Sequence, residues 1–434
     1  MAGLPAVAQR ETAERARFAI RASGFDFPKQ RIHVTVEPAL PKASTGLDLA
    51  IALAILWASG QVEPADTTRE WAWVGELSLT GQLRSVSGLL AFAEAAAADG
   101  RVLALPDACE RLVAHWGKAT VCGAISLGEA VDLFGGESIG GQKPLSRTLV
   151  ADEPLFGPET LQPNDWAAIA QIKAAIDRGA RGVLLTGAAA SGKTRIASRV
   201  KALLGTLDEE QAREVAVIRD AAGLLVQTGV VSGELTVSRP FRAPHHTVSV
   251  AGLTGNASTL RPGEVTLAHH GVLFLDEAPE FSRSAIDVLG AALDNAEVNI
   301  IRANVPFVSL PAKPAFVIAA ANCCPCGNAG SDRPCACSPE SVERFNERLR
   351  WLRNRLRLHT EVEVGEPIED PLPRTVVGAA CAALAHAGVD VGPDDVHVWD
   401  TDCGEWTFAL DPNPWSKAVG TVHDDLSVTL GGAS

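Results

Sequence analysis

The stretch GAAASGKT, Gly187–Thr194, has residue types and a spacing suited to holding phosphate groups. It fits the pattern G-x-x-x-x-G-K-[ST], in which glycines allow a tight turn whose backbone N–H groups face the β-phosphate. We expect Lys193 to reach the β- and γ-oxygens and the Thr194 hydroxyl to ligate Mg²⁺. The positions that complete this predicted ATP-binding loop are Gly187, Ala188, Ala189, Ala190, Ser191 and Gly192.

A strand, the loop and a helix follow one another in the order that a phosphate loop requires. The apolar run RGVLLTG, Arg181–Gly187, predicts a buried strand, and KTRIASRVKALLG, Lys193–Gly205, has helical spacing and ends at a glycine. The positive end of that helix would point at the bound anion. A glycine-rich turn after a core strand remains the alternative.

Two further strands are predicted to end in polar side chains. Val272–Leu275 runs into Asp276 and Glu277, and Phe316–Ala320 leads to Asn322. We expect Asp276 to hold Mg²⁺, Glu277 to polarise the attacking water and Asn322 to orient that water. A strand that ends in a solvated turn is the alternative for the acidic pair. The order of phosphate loop, acidic strand and polar-tipped strand is that of the AAA+ ATPases.

A cysteine cluster follows the third strand. Cys324 and Cys326 form one C-x-C pair and Cys335 and Cys337 a second, with eight residues between the pairs. Four thiolates suit a tetrahedral, structural Zn²⁺ site, whereas free cysteines in a loop are the alternative. Cys323 is an extra thiol that could replace Cys324.

Two histidine pairs, His245–His246 and His269–His270, are candidates for another metal site. We favour a role in the fold or in a DNA-facing insert instead.

Composition limits the protein class. The chain has 434 residues, 47% hydrophobic and 21% charged, which describes a globular protein. No run of about eighteen apolar residues occurs, so no membrane span is expected. The amino terminus becomes charged too early for a secretory signal, and we therefore expect a cytoplasmic location.

Charge limits the contact with nucleic acid. The net charge of −14 argues against a surface that coats nucleic acid as a whole. A local basic face remains possible in RFNERLRWLRNRLRLH, Arg344–His359, which has six arginines and one acid. A subunit interface or a solvated helix is equally compatible with this segment.

Composition shifts predict four parts: residues 1–138, a linker over 139–165 that is rich in Gly, Pro and Ser, an α/β ATPase domain over 166–365, and a divergent segment over 366–434. In the first part, ERARFAIRASG, GLDLAIALAILWASG and LLAFAEAAAADG predict helices. RIHVTVEP predicts a strand and REWAWVGELSLTGQLRSVSG a strand pair. In the last part we expect one helix, TVVGAACAALAHAG, and strand-like pieces.

The string RPFRAPHHTVSVAGLTGNASTLRPGEVTLAHHGVLFLDEAPEFSRSAIDVLG, Arg239–Gly290, carries a closer resemblance, together with NCCPCG and CACSP downstream. It resembles the magnesium-chelatase-like ATPases of bacteria, specifically the YifB/ComM group, over about residues 3–365. The resemblance implies a Lon-protease-like α+β domain, then a P-loop AAA+ module with a parallel sheet flanked by helices. It also implies a hexameric DNA helicase of the branch-migration type.

The chain departs from that group at several places. The group's loop reads PxGxGKT, whereas here the proline is lost and three alanines fill the loop; we expect the anion-binding backbone to survive. Arg355 stands at the arginine position of the group, with Asn354 and Arg357 replacing acids. It is our candidate arginine finger acting in trans, and an ordinary surface arginine is the alternative.

The chain's ends depart as well. The group's C-terminal lid is not recognisable in residues 366–434, and the segment that normally precedes Gly-Leu-Pro at the amino terminus is missing.

The Lon-like part lacks the protease dyad. Gly46 stands where the group's distant protease relatives have the nucleophilic serine, and Leu90 stands at the lysine. Ser44 lies nearby without a base. We therefore expect this part to scaffold a ring or contact DNA.

The sequence thus predicts an ATP- and Mg²⁺-dependent AAA+ motor that acts on single-stranded or branched DNA. Two alternatives stay open: a magnesium-chelatase-type motor subunit, and a hydrolysis-poor nucleotide-binding module that serves in interactions.

Overall fold

A computed structural model describes residues 1–4, 6–37, 45–116, 118–136, 163–224, 238–256, 261–300, 308–329, 333–358 and 360–364, residue 379, and four short strands between 397 and 430. The predicted helix over 375–388, apart from residue 379, lies outside the described residues. So do Ser44 and residues 139–162 of the predicted linker. The last residues of that linker, 163–165, already belong to a helix.

The first part of the chain combines five described helices with a small sheet and a hairpin. The helices are Ala6–Ala22 (α1), Asp48–Ala58 (α2), Leu89–Ala98 (α3), Asp107–Trp116 (α4) and Leu127–Phe134 (α5). The strands are Trp71–Trp73 (β1), Glu76–Leu77 (β2), Leu83–Arg84 (β3), Val102–Pro106 (β4) and Val121–Ala124 (β5). Strands β1, β4 and β5 form a parallel sheet in that order, whereas β2 and β3 pair antiparallel. The three predicted helices are present, and α2 is buried along most of its length because nearly all its residues are apolar.

Of the two strand predictions in this part, the strand pair is confirmed and the single strand is wrong. Over its described residues, 31–37, RIHVTVEP forms no strand: Thr35 makes a single bridge to Ala2. Ala2 donates to Val34 O at 2.8 Å and accepts from the N–H of Val36 at 3.0 Å, so the available partner is one residue long. The predicted strand pair is β2–β3; the preceding WAW pairs with β4 instead, because a hairpin uses only the residues next to its turn.

The second part is a five-stranded parallel sheet, in the order β14-β6-β13-β10-β7, flanked by helices. The strands of this part are Gly182–Gly187 (β6), Phe241–Arg242 (β7), Gly255–Asn256 (β8), Arg261–Pro262 (β9), Val272–Leu275 (β10), Glu297–Ile300 (β11), Val308–Pro311 (β12), Phe316–Ala321 (β13) and Thr360–Val364 (β14). The helices are Pro163–Asp177 (α6), Lys193–Leu203 (α7), Glu209–Ala221 (α8), Val250–Thr254 (α9), Glu264–Leu267 (α10), Arg283–Asn295 (α11) and Pro339–Leu356 (α12). The predicted fold class, an α/β protein with a helix-flanked parallel sheet, is confirmed.

The central strands β6, β10 and β13 are buried at every residue, as expected for a parallel sheet covered on both faces. Since all five strands run in the same direction, their carboxyl ends meet at one edge. The phosphate loop follows β6, the acidic pair follows β10, and Asn322 follows β13. The topology therefore brings three sequence-distant segments to one place.

Helix α8 joins the two parts. Its residues Val215 and Ala216 belong to the same buried cluster as Leu90 and Leu103 of the first part. The carboxylate of Asp220 accepts from the backbone N–H of Leu90 at 2.7 Å, which caps the amino end of α3. The predicted domain limits are not tested by these contacts and stay a prediction.

The final described elements are four strands, His397–Asp400 (β15), Trp406–Ala409 (β16), Gly420–Val422 (β17) and Val428–Leu430 (β18). They pair antiparallel in sequence order, which agrees with the strand-like pieces predicted for the tail.

Candidate functional site

A cavity of about 570 Å³ lies at the carboxyl edge of the parallel sheet. Its lining comes from the phosphate loop, the start of α7, the end of β10 and the end of β13. The lining residues are Ala189, Ala190, Ser191, Gly192, Lys193, Thr194, Arg195, Asp276, Glu277 and Asn322. The structure thus brings together the side chains that the sequence predicts for nucleotide and Mg²⁺ binding. Of the three residues predicted for ATP hydrolysis, Glu277 and Asn322 line this cavity and Arg355 does not.

Lys193 opens α7 and is the buried cation of this cavity, with 8% of its surface exposed. Its ammonium donates to Gly187 O at 3.0 Å, to Ala188 O at 2.7 Å and to Asn322 Oδ1 at 3.1 Å. Burial lowers the pKa of this ammonium, and the nearby Cys323, Asp276 and Glu277 partly oppose that shift. The loop backbone and Asn322 therefore hold the cation that a phosphate needs.

Thr194 and Asp276 are neighbours across the cavity. The Thr194 hydroxyl donates to Asp276 Oδ2 at 3.3 Å. Hydroxyl and carboxylate oxygens are the ligands that Mg²⁺ prefers, and the two come from separate elements that the sheet positions. This pair fits the predicted magnesium site.

Glu277, two residues after the end of β10, sits in the left-handed region with φ of +49°. His246 Nδ1 lies 3.0 Å from Glu277 Oε2. From the sequence we expected a role for His246 in the fold or in a DNA-facing insert, and we did not expect a contact with Glu277. No pattern in the sequence indicates this contact, which arises because His246 follows β7, the strand beside β10.

The alanines of the loop carry a conformational cost. Ala190 has a φ of +61°, a region that disfavours residues with a Cβ by roughly 1–2 kcal/mol. It stands at the second glycine of the GPxGxGKT-type loop, where glycine would adopt this φ freely. Gly192, at φ +94°, keeps the turn that opens α7.

The four predicted zinc ligands meet in space. Their sulfur atoms all lie within 4.8 Å of one another. Cys324 Sγ is 3.4 Å from Cys326 Sγ and 3.6 Å from Cys335 Sγ, and Cys326 Sγ is 3.7 Å from Cys335 Sγ. Four sulfurs bound at about 2.3 Å in a tetrahedron are about 3.8 Å apart, so the thiols fit Zn²⁺.

The second histidine pair forms a hydrogen-bonded group with Glu214. His269 Nδ1 accepts from the backbone N–H of Lys313 at 3.2 Å, so its hydrogen lies on Nε2, 3.0 Å from Glu214 Oε2. A protonated Nε2 has no lone pair for a metal. His270 Nε2 is 2.6 Å from the same oxygen. These contacts favour the fold role over a metal site.

Arg355 lies near the end of α12, at the amino edge of the sheet. It lines a second cavity of about 570 Å³ with Arg181 and Ala315, which precede β6 and β13. Strands of six residues span roughly 20 Å, which separates Arg355 from the phosphate loop of its own chain. Its guanidinium lies 3.2 Å from Asp294 Oδ2 and 3.5 Å from Asp287 Oδ1 of α11.

The other arginines of the predicted basic segment are engaged within the chain. Arg348 donates to Phe281 O and lies 4.4 Å from the ring centroid of Trp351, and Arg353 pairs with Glu361 at 2.7 Å. Contact of this segment with DNA stays a prediction.

The two positions of the protease dyad hold no catalytic groups. Gly46 lies in a short 3₁₀ turn and Leu90 is fully buried in the apolar cluster beside α8. Among the described residues, no helix is long and apolar enough to cross a membrane.

Comparison with known proteins gives matches over most of the chain. A family model described as magnesium chelatase, subunit ChlI, matches residues 164–369, and one described as subunit ChlI of Mg-chelatase matches residues 1–108. YifB of Escherichia coli is 34% identical over 390 residues, which are 88% of this chain and 73% of YifB. Competence protein ComM of Haemophilus influenzae is 34% identical over 359 residues, 80% of this chain and 67% of ComM.

Solved structures overlap with parts of the chain. The complex between subunits BchI and BchD of magnesium chelatase matches with a TM-score of 0.30 and 18% identity, covering 56% of this chain and 69% of that one. NtrX from Brucella abortus in complex with ATP matches with a TM-score of 0.29 and 16% identity, covering 56% of this chain and 47% of NtrX.

Proposed function

Because the chain belongs to the magnesium-chelatase-like AAA+ family that includes YifB and ComM, we propose that it is an ATP-hydrolysing motor. We propose further that it assembles as a hexameric ring and acts on DNA. The family accounts for the AAA+ character and for ATP as the nucleotide. Experiments must test three parts of this proposal: the hydrolysis of ATP, the assembly of a hexameric ring and the action on DNA.

One observation carries the proposal: Lys193, Thr194, Asp276, Glu277 and Asn322 converge on a single cavity. In this arrangement Lys193 balances the charge of the β- and γ-phosphates. Thr194 and Asp276 would hold Mg²⁺, which would neutralise the charge that develops during phosphoryl transfer. A motor needs these groups together, and a simple nucleotide-binding module does not need Glu277.

Glu277 is the proposed general base. Its carboxylate would accept a proton from the attacking water, and Asn322 would orient that water beside the γ-phosphate. His246, 3.0 Å from Glu277 Oε2, restricts where the carboxylate points. More than half of the Glu277 side chain is exposed, which leaves it accessible to water.

The DNA part rests on the resemblance to ComM-type helicases. We expect DNA to stimulate ATP hydrolysis, and more strongly at low salt, because cationic contacts to phosphates release counterions. Steady-state hydrolysis is measured with duplex, single-stranded and branched DNA at several salt concentrations, with Glu277→Gln as the background control. Hydrolysis without a response to any DNA at any salt would favour the chelatase-type motor. Absent hydrolysis with intact ATP binding would favour the interaction module.

We also propose that the cysteine quartet holds one structural Zn²⁺ per chain. The purified protein should contain about one zinc, and Cys326→Ser should lose it and unfold at a lower temperature. Cys323→Ser is the matched control, because Cys323 is the adjacent thiol outside the quartet. Elemental analysis measures the zinc content, and thermal unfolding measures the unfolding temperature. A zinc-free protein from a preparation never exposed to chelator would refute this site.

A further inference from the structure

The cysteine cluster touches the phosphate loop. Gly327, in the turn that follows Cys326, accepts a hydrogen bond from the backbone N–H of Ala189 at 3.0 Å. The N–H of Gly327 in turn donates to Cys324 O at 3.0 Å. The carbonyl that holds the loop therefore belongs to a turn bounded by two of the four thiols.

A side chain at Gly327 would crowd the nucleotide site. Its φ is +76°, and a Cβ built there would lie 3.2 Å from Ala189 Cβ and 3.3 Å from Asn322 Nδ2. Asn322 also accepts from Lys193, the cation of the cavity. The turn thus packs against the loop backbone and against the group that holds Lys193.

The thiols add further contacts that fix this turn. Pro325 and Cys326 are exposed, as are residues 333–336 of the opposite segment, whereas Cys324 is buried. Several contacts of the cluster involve sulfur, such as Ala329 N–H to Cys324 Sγ and Cys326 N–H to Cys337 Sγ, both at 3.3 Å. Sulfur accepts hydrogen bonds weakly, whereas four metal–thiolate bonds fix the two segments relative to each other.

We propose that zinc in the cysteine cluster positions the phosphate loop through Gly327, so that zinc binding and ATP binding strengthen each other. The inference rests on the proposed nucleotide and zinc sites and adds a coupling between them. Gly327 is a positioning residue: it acts through Ala189 and Asn322 and does not itself touch the substrate.

Thermodynamic linkage gives a test that a merely structural zinc would not pass. If zinc raises the affinity for ATP by some factor, ATP raises the affinity for zinc by the same factor. We expect a factor on the order of ten, within the usual range of couplings between sites. Zinc affinity is measured by competition with a chromophoric chelator, with and without ATP in excess Mg²⁺.

ATP itself binds zinc in solution, and Lys193→Ala controls for this. That variant meets the same solution chemistry but lacks the cation that binds the nucleotide. ATP should tighten zinc binding in the parent and leave it unchanged in Lys193→Ala. An ATP-independent zinc affinity in a parent that binds both ligands would overturn the coupling while leaving the two sites intact.

Gly327→Ala tests the contact with all four thiols in place. We expect it to keep one zinc per chain yet to bind a fluorescent ATP analogue about tenfold more weakly, because the new Cβ displaces the loop. Ala336→Ser, an exposed change between Cys335 and Cys337, is the matched control and should bind ATP as the parent does.

Two outcomes distinguish a failure of the Gly327 contact from a failure of the nucleotide site. Parent-like ATP affinity in zinc-loaded Gly327→Ala would overturn the role of Gly327. Absent ATP binding in the zinc-loaded parent would refute the nucleotide site, and with it this inference.

Discussion

Replacing Lys193 by alanine should abolish ATP binding. Lys193 supplies the ammonium that faces the loop and is held by Gly187 O, Ala188 O and Asn322 Oδ1. Hydrogen bonds that involve a charged group contribute about 1.5–3 kcal/mol each, and contacts to two phosphates would be lost together. The affinity should therefore fall by a factor on the order of 10² or more.

Titration of a fluorescent ATP analogue measures this loss. Lys173→Ala is the control, because Lys173 is a half-buried lysine on α6 that pairs with Asp177 at 2.7 Å and does not line the cavity. Equal affinity of Lys193→Ala and the parent would contradict the nucleotide site.

Glu277→Gln separates binding from hydrolysis. An amide keeps the size of the side chain and cannot accept the proton of the attacking water. The variant should bind ATP as the parent does and hydrolyse it about 10²–10⁴-fold more slowly, the usual contribution of a general base. Parent-like turnover would remove Glu277 from the proposed mechanism.

Replacing Arg355 by alanine should reduce ATP turnover by a factor on the order of 10³ while ATP binding stays near normal. The phosphate loop is untouched by this change, and Arg355 lies at the opposite edge of the sheet from it. An effect on turnover would therefore come from a neighbouring subunit whose nucleotide Arg355 contacts. In the single chain the Arg355 side chain is 24% exposed, and its ion pairs with Asp287 and Asp294 hold it against α11.

Two comparisons make the Arg355 result specific. Arg353→Ala removes an arginine from the same helix that pairs with Glu361, and it should hydrolyse ATP as the parent does. Mixing Arg355→Ala with Lys193→Ala should partly restore turnover, because a mixed ring forms some sites that contain both intact groups. Parent-like turnover in Arg355→Ala would reject the finger, and hydrolysis by a protein that sediments as a monomer with ATP would reject the ring.

The local elements of the nucleotide site follow from the sequence. Glycines at Gly187 and Gly192 can adopt the turn, apolar runs predict β6, β10 and β13, and helical spacing predicts α7. Parallel strands share one carboxyl edge, so the side chains after each strand meet without further information. The sequence also predicts that the four cysteines lie together, because two close C-x-C pairs can bind one metal ion.

Contacts between distant segments could not be predicted in this way. The contact of His246 with Glu277 depends on β7 lying beside β10, and the cap that Asp220 gives α3 joins residues 130 positions apart. RIHVTVEP has the pattern of a strand, yet among the described residues it pairs through a single bridge, Thr35 to Ala2. Ala190 and Glu277 adopt positive φ values that their side chains disfavour, so the surrounding structure imposes them.

The sequence by itself determined the phosphate loop, the acidic and polar strand ends, the thiol quartet and the family, because each depends on short-range spacing or on a contiguous string. Only the tertiary structure decided that Gly327 accepts a hydrogen bond from Ala189, and that Arg355 lies at the opposite edge of the sheet from the phosphate loop of its own chain. Those relations depend on strand order and helix packing, which many separate weak contacts determine together. No single stretch of sequence contains that information.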